Sequence, residues 1–449
     1  MSTVFNVRQL LRAAPAREEI ADQTVVKQQY RYWRWRIFYA MYIGYAFYYF
    51  TRKSFAYAMP ALMADLGFTK TELGLIGSIL SISYGISKVV SGVLGDKCNP
   101  RYFMSIGLVL TGIFNICFGF SSTILFFALF WGLNGWFQGW GWPPCARLLT
   151  HWYSKSERGT WWSIWSTCHN LGGAIIPILA AGCAQYYGWR SAMFVPGVLC
   201  ILVGLFLFNR LRDIPQTLGL PSVEKFKNDL AFHQSADMSD AERQLSIKEI
   251  LFKYVLTNKY IWILAVISFF VYVVRFAVND WTILYLMETK GYTLVGAGTT
   301  VFWFEVGGFI GMLVAGWISD KLFQGRRGPA FLIFGIGVVA AVLAFALLPS
   351  GGIIIDTAIL FTIGFFLFGP QMLIGLAAAE LSHKNAAATA SGFASGWFAY
   401  AGAAAAGFPI GLVTQVWGWD AFFVVLVVSS FVIVACSLPL YNAKPKTIT

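Results

Sequence analysis

Two arginines sit inside otherwise apolar stretches, Arg52 in GYAFYYFTRKSF (44–55) and Arg275 in VYVVRFAV (271–278). A guanidinium near the middle of a membrane span costs at least about 2.5–3.5 kcal/mol on insertion scales, so its presence asks for a partner. Neither arginine finds one nearby in the sequence. No carboxylate lies three or four residues from Arg52, whose neighbour Lys53 is another cation, and Asp280 follows Arg275 at five positions, off the same helical face. Lys88, in ISYGISKVVSG (82–92), is a third cation in an apolar setting. Planar guanidinium forks fit phosphate oxygens bidentately, and two of them facing one cavity repel each other until an anion arrives. A phosphate monoester, with about two negative charges at neutral pH, is the expected missing partner.

The surrounding residues fit such a site. Tyr45, Tyr49 and Arg52 follow i, i+4, i+7 and share one stripe, as Tyr84 and Lys88 do at i, i+4, while Tyr272 precedes Arg275 by three. A tyrosine stripe is explained equally well by ordinary packing. Lys53 falls on a different face from Arg52 and is expected to snorkel to the outer interface. His169, in STCHNLGGA (166–174), is an intramembrane histidine and reads as a site or gating residue rather than a packing one. Asn134, Gln138, Asn170 and Gln371 offer neutral groups for sugar hydroxyls, or else tie helices together. Glu305 is the clear acid within the second half of the chain and is available to pair with a cation during a transport cycle. His151 and His383 fall in loops, the seven cysteines are scattered, and no metal-ligand spacing or nucleotide-binding glycine loop is present. No cofactor, metal or enzymatic activity is expected.

The elements that must position these residues are membrane helices. Of 449 residues, 57% are hydrophobic and 12% charged, and the mean hydropathy is +0.63, too apolar for a soluble surface of this size. Segments of about 20 apolar residues recur at 36–60, 72–94, 103–121, 123–148, 159–182 and 190–208, then at 259–288, 294–318, 329–348, 352–376, 386–412 and 420–440. The division is a tail (1–35), a six-helix half (36–208), a linker (209–258), a second six-helix half (259–440) and a tail (441–449). The net charge of +12 reflects Lys and Arg in short connections, the positive-inside pattern, rather than a nucleic-acid surface. Linker and both termini are expected in the cytoplasm, in a bacterial inner membrane protein that meets lipid and acts as a monomer.

The halves repeat one another. GVLGDKCNPR (92–101) returns as GWISDKLFQGRR (316–327), with Asp96-Lys97 matched by Asp320-Lys321, and Tyr49 and Arg52 stand 223 positions before Tyr272 and Arg275. YGWRSAMF (187–194) is echoed by WGWDAFFV (417–424). Parallel halves with this gating-loop motif indicate an all-α major facilitator fold of 12 transmembrane helices, with its site between the halves. Together with NGWFQGWGWPPCARLL, RGTWW, HNLGGA, YVVRFAVNDW and FGPQMLIGLAAAE, these stretches resemble the organophosphate:phosphate antiporter family, in its hexose phosphate transporter and receptor branch, over nearly the whole chain. The resemblance implies that Arg52 and Arg275 bind substrate phosphate, that His169 and Lys88 match a family histidine and lysine, and that Tyr45, Tyr49, Tyr84 and Tyr400 line the cavity. The chain departs from the hexose phosphate transporter in span eleven, where ASGFASGWFAY (390–400) lacks an Asp and a Lys spaced three apart. The function so implied is exchange of hexose phosphate, glucose 6-phosphate foremost, for inorganic phosphate by alternating access. The rival is a receptor for external glucose 6-phosphate that controls a membrane sensor histidine kinase.

Overall fold

The computed structural model describes residues 15–95, 98–154, 157–228, 252, 255–348, 352–382 and 387–443. The first half comprises α1 (Gln23–Leu66), α2 (Lys70–Gly95), α3 (Pro100–Phe120), α4 (Ile124–Gln138), α5 (Trp142–Trp152), α6 (Arg158–Ser166), α7 (Cys168–Tyr187) and α8 (Ser191–Arg210). After a short linker helix α9 (Val223–Lys227) come α10 (Lys259–Lys290), α11 (Leu294–Trp317), α12 (Arg327–Leu347), α13 (Ile353–Glu380), α14 (Ala387–Gly392), α15 (Phe398–Ala405) and α16 (Phe408–Ser437). Eight described helical stretches are individually long and apolar enough to cross a bilayer. Two further passes escape that criterion for physical reasons: α1 carries the adjacent cations Arg52 and Lys53 among its tyrosines, and the fourth pass is broken at Gly139-Trp140-Gly141 ahead of Pro143 and Pro144. Helix α2, 26 residues long and uncharged but for Lys70, Glu72 and Lys88, is a further pass. The stretch Thr389–Leu440 contains two passes folded back at Gly418, whose φ of 77° only glycine adopts without strain. Among the described residues twelve passes in two sets of six result.

Helix α1 begins at Gln23, inside the stretch expected as tail. Asp22 caps it, its Oδ1 accepting from the amide of Thr24 at 2.8 Å, and Gly67 ends it with φ 70°. Its first turns are held by the linker: Tyr30 stacks on Phe226 with ring centroids 3.9 Å apart and donates to the Pro221 carbonyl at 2.5 Å.

The halves meet at the end of the bundle opposite the chain termini. There α2 packs on α15 and α16, and α7 on α11. Ser78 donates to the Ala404 carbonyl at 2.6 Å and accepts from the Phe408 amide at 2.7 Å, and Lys70 pairs with Glu288 at 2.7 Å. The approach is backbone to backbone, for a Cβ added at Gly74 would lie 2.5 Å from the Gly407 carbonyl oxygen. At the terminal end no ion pair among the described residues joins the two six-helix halves: Arg34 pairs with Glu157, Arg147 with Asp213, and Arg327 with Asp320 and Glu380.

Candidate functional site

Between the halves, at the depth of the intramembrane cations, lies a cavity of about 170 Å³. Helices α1 and α2 contribute Tyr45, Tyr49, Arg52, Lys53, Tyr84 and Lys88, and α5 to α7 contribute Trp142, Trp162, Trp165, Ser166 and His169. From the second half come Tyr272, Arg275, Phe276 and Asn279 of α10, Gln371 of α13 and Tyr400 of α15. The wall thus holds two arginines, two lysines and no carboxylate.

Each arginine is oriented differently. The Nε and Nη2 of Arg52 donate to Gln138 Oε1 at 3.2 and 3.1 Å, and its guanidinium lies 4.5 Å from the ring centres of both Tyr49 and Tyr84. Gln138 is itself held, donating to Thr51 Oγ1 at 3.0 Å and to Asn134 Oδ1 at 3.2 Å, while Asn134 donates to the Thr51 carbonyl at 2.8 Å. Arg275 lies 4.5 Å from the centre of the Phe368 ring and has no hydrogen bond or ion pair among the described residues, so its fork is free. Lys88 reaches over the rings of Trp142 and Tyr400, and His169 lies beside Tyr49 with ring centroids 6.0 Å apart. Tyr400 also bridges the halves, edge-on to Tyr84 at 4.5 Å.

Several expectations need correction. Lys53 does not snorkel: it is buried in an ion pair with Glu305 of α11, across the two halves. It stands four residues after Tyr49, so the cavity stripe is broad enough to take in both cations. Glu305 also accepts from Asn279 Nδ2 at 3.0 Å and lies against Gly173 of α7, behind Lys53, which lines the floor of the cavity on its sealed side. Nor is Glu305 alone among acids in the second half, since Asp280 is half-buried in α10 and Asp356 is buried in α13, bonded to Lys290 and Tyr292 at 2.6 Å each. Asn134 and Gln138 do not line the cavity; both are fully buried behind Arg52. Asn170 is also away from the wall and buried, with neither end of its amide hydrogen-bonded among the described residues.

In the gating motif, Asp320 accepts from Arg327 at 2.5 Å and Lys321 is exposed, while Asp96 and Lys97 lie outside the described residues. Sequence reasoning missed the wall residues Trp142, Trp162, Trp165, Ser166, Phe276 and Asn279. Asn279 was within reach, since it follows Arg275 by four on the same stripe.

Two six-helix halves folded around one shared, cation-lined cavity define a membrane carrier of the major facilitator type. The family model of the Major Facilitator Superfamily matches residues 41–407. A probable hexose phosphate transport protein of Chlamydia pneumoniae is 61% identical over 436 residues, covering 96% of each chain. The membrane sensor protein UhpC of Escherichia coli is 51% identical, over 95% of this chain and 96% of that one. The glycerol-3-phosphate transporter of Bacillus subtilis is 43% identical, over 94% and 95%. The chain belongs to the organophosphate:phosphate antiporter family of that superfamily. A bacterial homologue of the human lysosomal transporter Spinster, solved inward-facing and occupied, shares the fold with a TM-score of 0.74 at 13% identity, over 91% of this chain and 96% of that one.

Proposed function

We propose that this protein exchanges a hexose phosphate, glucose 6-phosphate foremost, for inorganic phosphate by alternating access. The observation that carries the reading is the pair of pseudo-symmetric arginines, Arg52 and Arg275, on opposite walls of a cavity where, with Lys53 paired to Glu305, they and Lys88 face no carboxylate among the described residues. An empty cavity concentrates positive charge, which resists the rearrangement of the halves; a phosphate of either kind neutralises it. Exchange is then obligatory. The phosphate group is taken by Arg52, Arg275, Lys88 and His169, and the sugar by the Trp142, Trp162 and Trp165 wall with Ser166, Asn279 and Gln371 beside it. The names of the chlamydial relatives support a hexose phosphate, and the Bacillus relative makes glycerol 3-phosphate the competitor to include. The protein acts as a monomer in a bacterial inner membrane, with both termini and the linker in the cytoplasm.

A second reading is favoured by the sensor UhpC, which matches nearly end to end. In it the same site binds external glucose 6-phosphate and the resulting conformation controls a sensor histidine kinase. Labelled glucose 6-phosphate uptake into proteoliposomes, loaded with phosphate or empty, separates the two. Uptake that needs internal phosphate and is lost in Arg275→Lys supports exchange. Saturable binding with negligible flux under both conditions refutes it and supports the receptor.

A further inference from the structure

Three arginines converge where α1, α3 and α8 reach the terminal end of the bundle. Arg36 Nη2 donates to the Asn209 carbonyl at 2.9 Å and to Asn209 Oδ1 at 3.2 Å, Arg101 Nε to the Phe208 carbonyl at 2.6 Å, and Arg212 Nη1 to the Asn209 and Leu211 carbonyls at 2.9 and 2.7 Å. Arg36 and Arg212 lie 4.8 and 5.0 Å from the same Trp33 ring. Capping the carbonyl end of α8 explains one nitrogen of each arginine. It does not explain three of them, because at the pseudo-equivalent end of the second half Arg326 alone, among the described residues, reaches the Tyr441 carbonyl, at 3.2 Å.

None of the three forms an ion pair among the described residues. Burial lowers the pKa of Arg212 and the charges of Arg101 and Arg36 add to the effect, as expected of guanidiniums crowded without an acid. Both Nη atoms of Arg101, and Nε and Nη2 of Arg212, donate to nothing among the described residues, and none of these atoms is buried. Arg101 and Arg212 therefore present open forks, beside Arg36, whose Nη1 and Nη2 are held by Tyr32 and Asn209 and which adds its charge.

What lies beside it identifies the anion. Tyr39 of α1 meets Phe206 of α8 at 6.3 Å, and Leu202 and Leu205 project outward further along α8, giving an exposed apolar strip that runs from the arginines toward the bilayer interior. Tyr32 and Trp35 are more than half exposed at the level of the arginines, the amphipathic rings typical of a headgroup layer. Forks at headgroup depth above an apolar strip match a phosphodiester attached to acyl chains, whereas a free phosphate would leave the strip without a role. We propose that Arg36, Arg101 and Arg212 form a binding site for the headgroup of an acidic phospholipid, whose chains lie along Tyr39, Phe206, Leu202 and Leu205. The site lies at the foot of the helix that carries Arg52, outside the transport cavity.

The test uses the full-length protein in nanodiscs containing equal phosphatidylglycerol and phosphatidylcholine, with the lipids retained after detergent extraction counted by native mass spectrometry. Arg101→Gln/Arg212→Gln leaves Arg36 in place to hold the helix ends. At roughly fivefold per arginine, the preference for phosphatidylglycerol should fall by about 25-fold in the double variant. It should be unchanged in Arg190→Gln, at the opposite end, and unaffected by millimolar inorganic phosphate. Thermal stabilisation by glucose 6-phosphate reports that each variant is folded. An unchanged preference in the double variant, an equal fall in Arg190→Gln, or displacement of the lipid by inorganic phosphate would each overturn the proposal.

Discussion

Replacing Glu305 with glutamine should open the sealed side of the protein. The Lys53–Glu305 pair joins the two halves at the cavity floor, with Lys53 8% and Glu305 1% exposed. Glutamine keeps the side-chain shape and the oxygen that Asn279 donates to, so the substitution removes charge and little else. Breaking a buried pair by neutralising one partner costs about 3–5 kcal/mol, because the other charge stays desolvated. That cost falls on the state seen here, since parting the halves at this level hydrates Lys53. The balance between closed and parted states should then move by roughly 100- to 4,000-fold. A single cysteine at Ser78, on the seam between α2 and α15, reports the change through its rate of labelling by a membrane-impermeant maleimide. Labelling should accelerate steeply in Glu305→Gln. In Lys53→Met/Glu305→Leu, which removes both charges, it should return toward the parent rate. A Glu305→Gln protein that labels no faster than the parent would refute the reasoning, and a double variant that labels faster still would show that the pair acts through its volume rather than its charge.

Arg275→Lys should weaken phosphate binding by roughly 10- to 150-fold, since an ammonium replaces a free fork and loses about 1.5–3 kcal/mol of charge-assisted hydrogen bonding; titration calorimetry with inorganic phosphate measures this. Gln138→Leu should weaken phosphate binding at least tenfold although Gln138 never faces the cavity, because Arg52 loses the acceptor that aims it; an unchanged affinity would mean that the tyrosine rings alone position Arg52. Glu157 provides a pH test. Burial raises its pKa, but the hydrogen bond and charge of Arg34, with Lys227, overcome this and hold the carboxyl below its usual range. A depressed folded-state pKa contributes stability that is complete above the ordinary carboxylate range and lost as pH falls through the folded value. The melting temperature should therefore be flat from pH 7 to about 5 and drop below that, with Glu157→Gln lowering the plateau by the small amount typical of a solvent-screened, partly exposed pair and softening the acid limb.

Much of this site could be read from the chain before its fold was known. The repeat placed Arg52 and Arg275 in register, and in a two-fold related bundle residues in register face the same axis, so their convergence follows from symmetry. Helical spacing did less well where it had to choose a direction. Asn134 and Gln138 share a face of α4, as their spacing of four requires, but nothing in that spacing says whether the face looks into the cavity or onto α1. Lys53 was misread because its partner is 252 positions away in the other half, beyond any local rule. The tryptophan wall was invisible for a different reason: in a chain with 18 tryptophans, composition does not distinguish those at a cavity from those in lipid. The two aromatic-glycine repeats were legible as an echo, yet their role emerged only with the backbone. Gly188 and Gly418 take φ values of 83° and 77° and turn the chain between the last two passes of each half.

The seam that seals the end opposite the termini bears on inhibition. A non-transported anion designed for the central cavity can reach it, in this conformer, only from the compartment that holds the termini. Supplied there, it would block at once; supplied on the far side, it must wait for the seam to part, and its onset would lag by the lifetime of the closed state. Comparing the two onsets would time the conformational change without any label on the protein.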